Sequence, residues 1–132
     1  MIFGIGTDIV KIKRMRENQD KYGDRFAKRV LSDTEFSEYG KKANDNMKAS
    51  FLAKRFAAKE AAVKAMGTGF TNGISMKHVT VENNQNGKPT LKLSGVAEKI
   101  ADESGVTHTH LSIADESDYA VAYVVMEKSA HE

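Results

Sequence analysis

The sequence predicts an α+β fold in which antiparallel strands pack with one long helix and several short helices. Three observations support this prediction. Residues 74–93 and 107–127 each read as two strand-like runs joined by a turn, which is typical of hairpins. Residues 47–66 have a composition that strongly favours a helix. Strands and helices do not alternate regularly, so the pattern differs from that of a parallel α/β sheet.

The first half of the chain begins with a predicted strand, residues 2–10, which are apolar and β-branched. The basic segment, residues 11–29, reads as helical with a break near Gly23. Ser32 and Glu35 have the spacing of a capping box, which predicts a short helix at this point. The polar residues 40–48 predict a loop.

The second half opens with the long helix, which Gly67 is expected to end as a C-terminal cap. A hairpin over 74–93 should turn at 83–87, and Pro89 suits an edge position in its return strand. A short helix over 96–103 follows. Two strands, 107–114 and 119–127, close the chain and are joined by an acidic turn at 115–118.

Length and composition limit the class of protein. The chain has 132 residues, which fits a single domain over 1–132. Cysteine is absent, which excludes disulfides, thiolate chemistry and cysteine-based zinc sites. No stretch approaches the ~20 apolar residues of a membrane span, and the first residues lack the basic flank of a signal peptide. We therefore expect a soluble, cytoplasmic protein that does not associate with membranes.

The basic segment carries a net charge of +5 in a chain whose net charge is +2. Such asymmetry indicates an acidic partner, and an ordinary solvated helix face explains it equally well. A nucleic-acid-binding module is a further interpretation. Against it, acids interleave with the bases, and only Tyr22 and Phe26 could stack on nucleobases.

Helical spacing on the long helix predicts one apolar stripe facing a core, formed by Leu52, Phe56, Val63 and Met66. Lys59 falls inside this stripe, and the simplest interpretation is that its ammonium group reaches out to solvent. Glu60 and Lys64 lie at the edge of the stripe, four residues apart. An ordinary helix ion pair worth about 0.2–0.5 kcal/mol is the plainest interpretation of that spacing.

Asp8 is the only charged residue among the first ten. At the end of an apolar strand, its carboxylate is either a metal ligand or a cap for the next helix. Magnesium usually accepts two carboxylates from separate elements together with substrate oxygens and water. Asp8 and Glu60 could supply that pair.

Two further groups are weaker candidates. The run Gly67-Thr68-Gly69 follows a helix C-terminus, whose dipole disfavours anions, so Gly67 is most simply a cap. His108 and His110 share one face of a predicted strand. No third zinc ligand lies nearby in the sequence, so a hydrogen-bonded histidine, or one that contacts a ligand phosphate, is favoured over a zinc pair.

The motifs together, rather than any one of them, resemble a known family from end to end. The matching stretches are residues 4–10, 25–32, 51–61, 64–69, 86–89 and 119–127. They resemble the holo-acyl-carrier-protein synthases, the small bacterial class of 4′-phosphopantetheinyl transferases. One departure concerns the pattern His-x-Ser-x-Ser-His of many members. Here the second Ser-His pair is Ala114-Asp115, so a role for that histidine does not carry over.

The resemblance implies a Mg²⁺-dependent reaction with coenzyme A as substrate. Asp8 and Glu60 would hold Mg²⁺ at the pyrophosphate, and Lys64 would contact a phosphate oxygen. A serine of apo acyl carrier protein would attack the β-phosphate and 3′,5′-ADP would leave, with Glu60 or a water on the metal as the base. This reaction serves fatty acid biosynthesis. The coenzyme A site would be lined by Gly67, Thr68 and His110, with Arg55 and Lys48 as candidates for the 3′-phosphate.

The resemblance also implies a homotrimer with active sites between subunits. The acidic carrier helix would dock on basic residues of the segment 11–29, namely Arg14, Lys21, Arg25 and Arg29. Two other interpretations stand beside this one: the nucleic-acid-binding module, and a structural or interaction domain in which Asp8 and Glu60 are ordinary surface carboxylates.

Overall fold

A three-stranded antiparallel sheet and one long helix organise the fold. The structure, a computed structural model, describes residues 1–129. In chain order the elements are β1 (Ile2–Lys11), α1 (Ile12–Tyr22), α2 (Arg25–Val30), α3 (Asp33–Gly40), α4 (Asp45–Met66), a 3-10 turn (Met76–His78), β2 (Val79–Asn83), β3 (Pro89–Leu93), α5 (Gly95–Glu103), β4 (Val106–Asp115) and β5 (Tyr119–Lys128). The main sheet has the order β1-β5-β4, and β2 and β3 form a hairpin sheet of their own. The predicted α+β class is confirmed.

Most predicted elements are confirmed, and their ends follow local chemistry. Gly23 interrupts the basic segment with a positive φ of 60°, and Gly67 ends α4 in the left-handed conformation. The Glu35 carboxylate accepts a hydrogen bond from the Ser32 N–H at 2.9 Å, as a capping box requires.

Two predicted boundaries are wrong. The loop predicted over 40–48 ends earlier, because the Asn44 side chain accepts the Met47 N–H at 2.9 Å and starts α4 at Asp45. Residues 76–78 form a 3-10 turn rather than the start of the hairpin, with the Ser75 hydroxyl accepting the Lys77 N–H.

The apolar stripe predicted on α4 does pack on the core, with Leu52, Val63 and Met66 buried. Burial nevertheless extends beyond this stripe, over most of the circumference of the helix. Thirteen of its 22 residues are buried. Seven of these are alanines, and their short side chains let neighbouring elements approach from several directions: Ala49, Ala53, Ala57, Ala58, Ala61, Ala62 and Ala65. None of the helices in the described part of the chain is both long and apolar enough to cross a membrane.

Helix α4 and strand β1 approach each other closely at two glycines. A Cβ atom at Gly6 would overlap the Ala61 carbonyl oxygen and lie 2.7 Å from the Ala65 nitrogen. A Cβ atom at Gly4 would overlap the Ala65 carbonyl oxygen in the same way. These glycines are therefore required by space and not by backbone conformation.

The two faces of the main sheet differ in character. Side chains alternate along each strand, and the inner face packs on α4 through buried residues such as Ala122, Val124 and Met126. The outer face carries large apolar side chains that remain exposed: Ile5, Ile9, Tyr119, Val121 and Tyr123.

We expect Gly6→Ala to lower the free energy of unfolding by about 3 kcal/mol, because the added methyl group meets backbone atoms that cannot move aside. Urea denaturation followed by circular dichroism measures this change. Gly40→Ala is the matched control, since nothing lies within 4 Å of a Cβ atom at that position, and it should change stability by no more than about 0.5 kcal/mol. Equal stability of the two variants would contradict the close β1–α4 contact.

Candidate active site

Asp8 and Lys64 meet where β1 crosses α4. Asp8 lies on the inner side of β1, between the buried residues Gly6 and Val10. The Lys64 ammonium group donates to Asp8 Oδ1 at 3.2 Å and to the Thr7 carbonyl oxygen at 3.0 Å. The Asp8 side chain is only 18% exposed, whereas that of Lys64 is 52% exposed.

This geometry corrects two predictions. Asp8 does not lie at the end of its strand and does not cap α1, because β1 continues to Lys11, which is the N-cap residue. The helix ion pair predicted between Glu60 and Lys64 does not form within 4.0 Å, since Lys64 turns to Asp8 instead.

Glu60 completes the charged cluster. It is half-buried one turn before Lys64 on α4. Burial raises the pKa of the Glu60 carboxyl, the negative charge of Asp8 raises it further, and Lys64 opposes both effects. Two carboxylates and one ammonium group therefore share one place on the surface.

The donor set of this cluster fits a divalent cation. Asp8 and Glu60 are carboxylates on separate elements that repel each other, and a bound cation would relieve that repulsion. No group of three or more histidine, cysteine or acidic residues placed to bind a metal ion occurs within residues 1–129. Protein ligands here would thus number two, which leaves positions for substrate and water, as magnesium sites usually require.

The Gly67-Thr68-Gly69 run acts as a helix cap, as predicted. The Gly67 amide donates to the Lys64 carbonyl oxygen at 3.0 Å, and the amides of Thr68 and Gly69 donate to the Val63 carbonyl oxygen at 3.2 and 3.3 Å. These N–H groups are occupied within the chain. The Thr68 hydroxyl is engaged as well, because it donates to the Gly69 carbonyl oxygen at 2.9 Å.

Arg55 and Lys48 belong to a second basic cluster on another side of α4. The Arg55 guanidinium lies 4.4 Å from the centre of the Phe51 ring and 3.8 Å from Glu38. The Lys48 ammonium lies 5.6 Å from the centre of the Tyr39 ring. Nine residues along α4 separate Arg55 from Lys64, which corresponds to about half a turn around the helix axis and ~13.5 Å along it. Within one chain the structure does not bring these two cations together.

His110 lies on the outer face of the main sheet, away from Asp8. Its Nε2 atom is 2.5 Å from Glu127 Oε1, while His108 Nδ1 is 3.1 Å from Thr107 Oγ1. Both histidines are therefore hydrogen-bonded within the chain, as one of the two favoured interpretations predicted. Contact of either histidine with a ligand phosphate stays a prediction. His110 lines a cavity of about 270 Å³ between the β2–β3 hairpin and the main sheet, together with Lys88, Pro89, Thr90, Ser112 and Tyr123 among others.

Sequence reasoning missed the functional potential of this cavity. Lys88 follows the predicted turn, and Tyr123 alternates with core residues along β5, so both could have been placed on exposed surfaces. No motif in the sequence indicates that the β2–β3 hairpin packs beside the main sheet at this cavity. Only the tertiary structure brings Lys88 and His110 to opposite walls of one cavity.

Lys59 is fully buried, so the prediction that its ammonium group reaches solvent is wrong. The ammonium group donates to Glu35 Oε1 at 2.7 Å, to the Met76 carbonyl oxygen at 2.9 Å and to the Val79 carbonyl oxygen. Burial lowers the pKa of Lys59, and the Glu35 carboxylate beside it acts in the opposite direction. This lysine is sealed inside the fold and does not reach the charged cluster on β1.

Asp115, where many members of the family that the sequence resembles have histidine, contacts α4. Its Oδ2 atom lies 3.9 Å from the Lys54 ammonium group and 3.5 Å from the Ser50 hydroxyl. The acidic turn between β4 and β5 is thereby tied to the first half of the long helix.

The four predicted docking residues are all exposed. Arg14 and Lys21 flank a shallow groove on α1, and Arg25 and Arg29 lie on α2. Arg16 differs, because it is engaged by Asp20 at 3.0 Å and by Asp45 at 3.5 Å.

Known proteins resemble this chain over nearly its full length. Residues 4–124 match the family model of the 4′-phosphopantetheinyl transferase superfamily. The chain is 50% identical over 126 residues to a holo-[acyl-carrier-protein] synthase of Aliivibrio salmonicida, covering 96% of this chain and 98% of that protein. A holo-[acyl-carrier-protein] synthase of Nitrosospira multiformis is 46% identical over 128 residues, covering 97% of this chain and 100% of that protein.

Solved structures agree with the sequence relatives. The crystal structure of holo-[acyl-carrier-protein] synthase from Neisseria meningitidis superposes with a TM-score of 0.89 at 40% identity, covering 97% of this chain and 100% of that one. The enzyme from Bacillus anthracis, solved in complex with CoA (3′,5′-ADP), superposes with a TM-score of 0.80 at 36% identity, covering 98% of this chain and 99% of that one.

We expect Glu60→Gln to raise the thermal midpoint at pH 7 by about 1–3 °C in the absence of ligands. The pKa of Glu60 is raised above 4.5 in the folded protein, so the ionised form costs stability at every pH above the raised value. The difference between variant and wild type should shrink as the pH falls towards 4.5, because the wild-type carboxyl then becomes neutral too. Differential scanning calorimetry across pH 4–8 measures this, with the exposed residue Glu82→Gln as control. A lower midpoint for Glu60→Gln at pH 7 would contradict the cluster's repulsion.

Proposed function

The chain belongs to the 4′-phosphopantetheinyl transferase superfamily, and from this membership we propose that it transfers 4′-phosphopantetheine from coenzyme A to a serine of apo acyl carrier protein, releasing 3′,5′-ADP. The proposal assigns this reaction to one domain over residues 1–132, and to fatty acid biosynthesis in the cytoplasm. The observation that carries it is the cluster of Asp8, Glu60 and Lys64, within a chain that matches such enzymes over nearly its full length. Those relatives give no support to a nucleic-acid-binding module.

Asp8 and Glu60 are the residues that would hold Mg²⁺. When bound, the ion would neutralise charge on the pyrophosphate as the transfer proceeds. The repulsion between the two carboxylates supports this assignment. It makes it unfavourable for both to be ionised at once unless a cation lies between them.

The other steps fall to the side chains of this chain and of the carrier. Lys64 is half-exposed, and within residues 1–129 its ammonium group contacts one carboxylate, Asp8, and one backbone carbonyl. It can therefore donate to a phosphate oxygen as a point charge. The serine oxygen of the carrier bonds to the β-phosphorus while the bond to the bridging oxygen breaks, and 3′,5′-ADP leaves with that electron pair. Glu60, which lies beside the site on α4, is our candidate acceptor for the serine proton.

The rest of the coenzyme A site is assigned to two subunits of a homotrimer. Asp8 and His110 lie towards opposite faces of the main sheet, so one ligand molecule cannot easily touch both in a single chain. The exposed apolar outer face, with Ile9 at 63% and Tyr123 at 45% exposure, is the kind of surface that another subunit covers. In this arrangement Gly67 and Thr68 of one chain and His110 of another line the site. The 3′-phosphate ligands Arg55 and Lys48 likewise come from a subunit other than the one that supplies Lys64.

The acidic carrier protein is assigned to the exposed basic surface of α1 and α2. Arg14, Lys21, Arg25 and Arg29 all extend into solvent there and none forms an ion pair within the described residues 1–129. This leaves their charges available for a partner.

We expect the wild-type protein, incubated with coenzyme A, Mg²⁺ and apo acyl carrier protein, to add one phosphopantetheine group to the carrier, as measured by intact-protein mass spectrometry. Asp8→Ala and Glu60→Ala should each lower the initial rate at least about a hundredfold with the fold retained, since each removes a proposed ligand. Glu82→Ala is the control and should transfer at the wild-type rate. Near-normal rates in both site variants would rule out the ligand assignment, and a folded wild type that leaves the carrier mass unchanged would rule out the transferase.

Arg14→Glu should raise KM for the carrier protein about tenfold while leaving KM for coenzyme A nearly unchanged, because a reversed charge repels the acidic partner. Steady-state kinetics with each substrate varied in turn separates the two constants. Lys99→Glu makes the same charge change on α5 and serves as control. A similar loss in both constants for Arg14→Glu would place the nucleotide, and not the carrier, on α1.

Val121→Glu should convert the trimer to single chains, because it places a charge in the middle of the exposed apolar face. Native mass spectrometry would then report the 14.5 kDa chain mass instead of three times that value. Ser37→Glu on α3 is the control for added charge. A wild-type protein that is already a single chain would refute the assembly.

A further inference from the structure

The β2–β3 hairpin is not attached to the main sheet by backbone hydrogen bonds among the described strands. Its two strands pair only with each other, as a separate two-stranded sheet. Isolated two-stranded hairpins are marginally stable in water. The hairpin packs on the core through its buried residues Val79 and Val81. Beyond this packing, its position depends on the side chains of neighbouring elements that bond to it.

A buried ion pair occupies the free edge of β2. Glu35 Oε2 accepts the Val81 N–H at 2.8 Å, and the Lys59 ammonium group donates to the Val79 carbonyl oxygen. These are backbone groups that a neighbouring strand would otherwise satisfy. The carboxylate and the ammonium group thus take the place of a third strand, one as acceptor and the other as donor.

The pair is closed and fully bonded. All three ammonium hydrogens of Lys59 have acceptors, in Glu35 Oε1, the Met76 carbonyl oxygen and the Val79 carbonyl oxygen. Glu35 Oε1 also accepts from the N–H and the hydroxyl of Ser32, at 2.9 and 3.1 Å. Both side chains are at most 1% exposed. The network therefore joins α3, α4, the 3-10 turn and β2 at one point, and it leaves no site for a ligand.

The other end of the same hairpin forms one wall of the His110 cavity. Asn84, Lys88, Pro89 and Thr90 face His110 and Tyr123 across it. Between the described strands of the hairpin and the main sheet, no backbone hydrogen bonds fix the distance between the two walls. A change in the orientation of the hairpin would therefore move Lys88 relative to His110.

We propose that the Glu35–Lys59 ion pair positions the β2–β3 hairpin and thereby sets the shape of the His110 cavity for coenzyme A. The inference rests on the proposed function, which assigns that cavity to coenzyme A. Lys59 and Glu35 are positioning residues and touch no reacting atom. Two of the four lysines of α4 thus have separate tasks, with Lys64 at the phosphates and Lys59 holding the hairpin.

The test compares Lys59→Met with the double variant Glu35→Leu/Lys59→Met. The single variant leaves a buried carboxylate without its cation, which is strongly destabilising, whereas apolar replacement of both partners is often tolerated. We expect KM and the calorimetric Kd for coenzyme A to rise about tenfold in each variant that folds, since a wall displaced by ~1 Å is enough for such a loss. The kcat value and KM for the carrier should stay within about twofold of wild type. Amide exchange at Val81 should accelerate in both variants.

Met15→Ala is the matched control for general destabilisation, because Met15 is fully buried on α1 and lies outside the network. Each variant is assayed at the same number of degrees below its own thermal midpoint, so that the two are compared at equal stability. Under these conditions Met15→Ala should keep the wild-type KM for coenzyme A. A wild-type KM in the folded double variant would overturn the inference, and so would an equal rise in KM for Met15→Ala. A wild-type protein that performs no transfer would instead overturn the proposed function, and the inference with it.

Discussion

The close contact between β1 and α4 is the constraint on which the rest of the structure depends. Gly4 and Gly6 have no room for a Cβ atom because the α4 backbone lies against them. This contact places Asp8, two residues further along the same side of β1, next to the α4 residues that flank Ala61. Glu60 and Lys64 are therefore brought to Asp8 by the packing that closes the core, and the charged cluster needs no loop to hold it.

Two lysines on one helix show how depth decides the chemistry of a side chain. Lys59 is sealed between α3 and β2, and each of its hydrogens is committed to a fixed acceptor. Lys64 is half-exposed and bound to a single carboxylate and a carbonyl. Buried charges are costly to leave unpaired, so the first lysine is structural, while the second remains available to a phosphate.

The charged groups proposed to contact coenzyme A lie on different surfaces of the subunit. The carboxylates lie on the α4 side of β1, the His110 cavity lies on the outer face, and Arg55 and Lys48 surround the Tyr39–Phe51 ring pair. Within one subunit these groups are too far apart for a single coenzyme A molecule to contact all of them. The proposed assembly resolves this separation, because it covers the apolar outer face and brings the surfaces of different subunits into contact.

The sequence by itself determined the α+β class and nearly every element, because period, caps and turn residues act over a few neighbouring positions: Gly67 ends α4 and Ser32-Glu35 starts α3 without help from the rest of the chain. Its single charge in an apolar strand also singled out Asp8. Only the tertiary structure decided the partners: Lys59 with Glu35, 24 residues away, Lys64 with Asp8, 56 residues away, and Lys88 across a cavity from His110. The burial of α4 beyond its predicted apolar stripe has the same cause, since alanine allows burial on any side and the neighbouring elements determine which sides are covered. Local patterns specify how the backbone folds, whereas a charge acquires its role from whichever element packs against it.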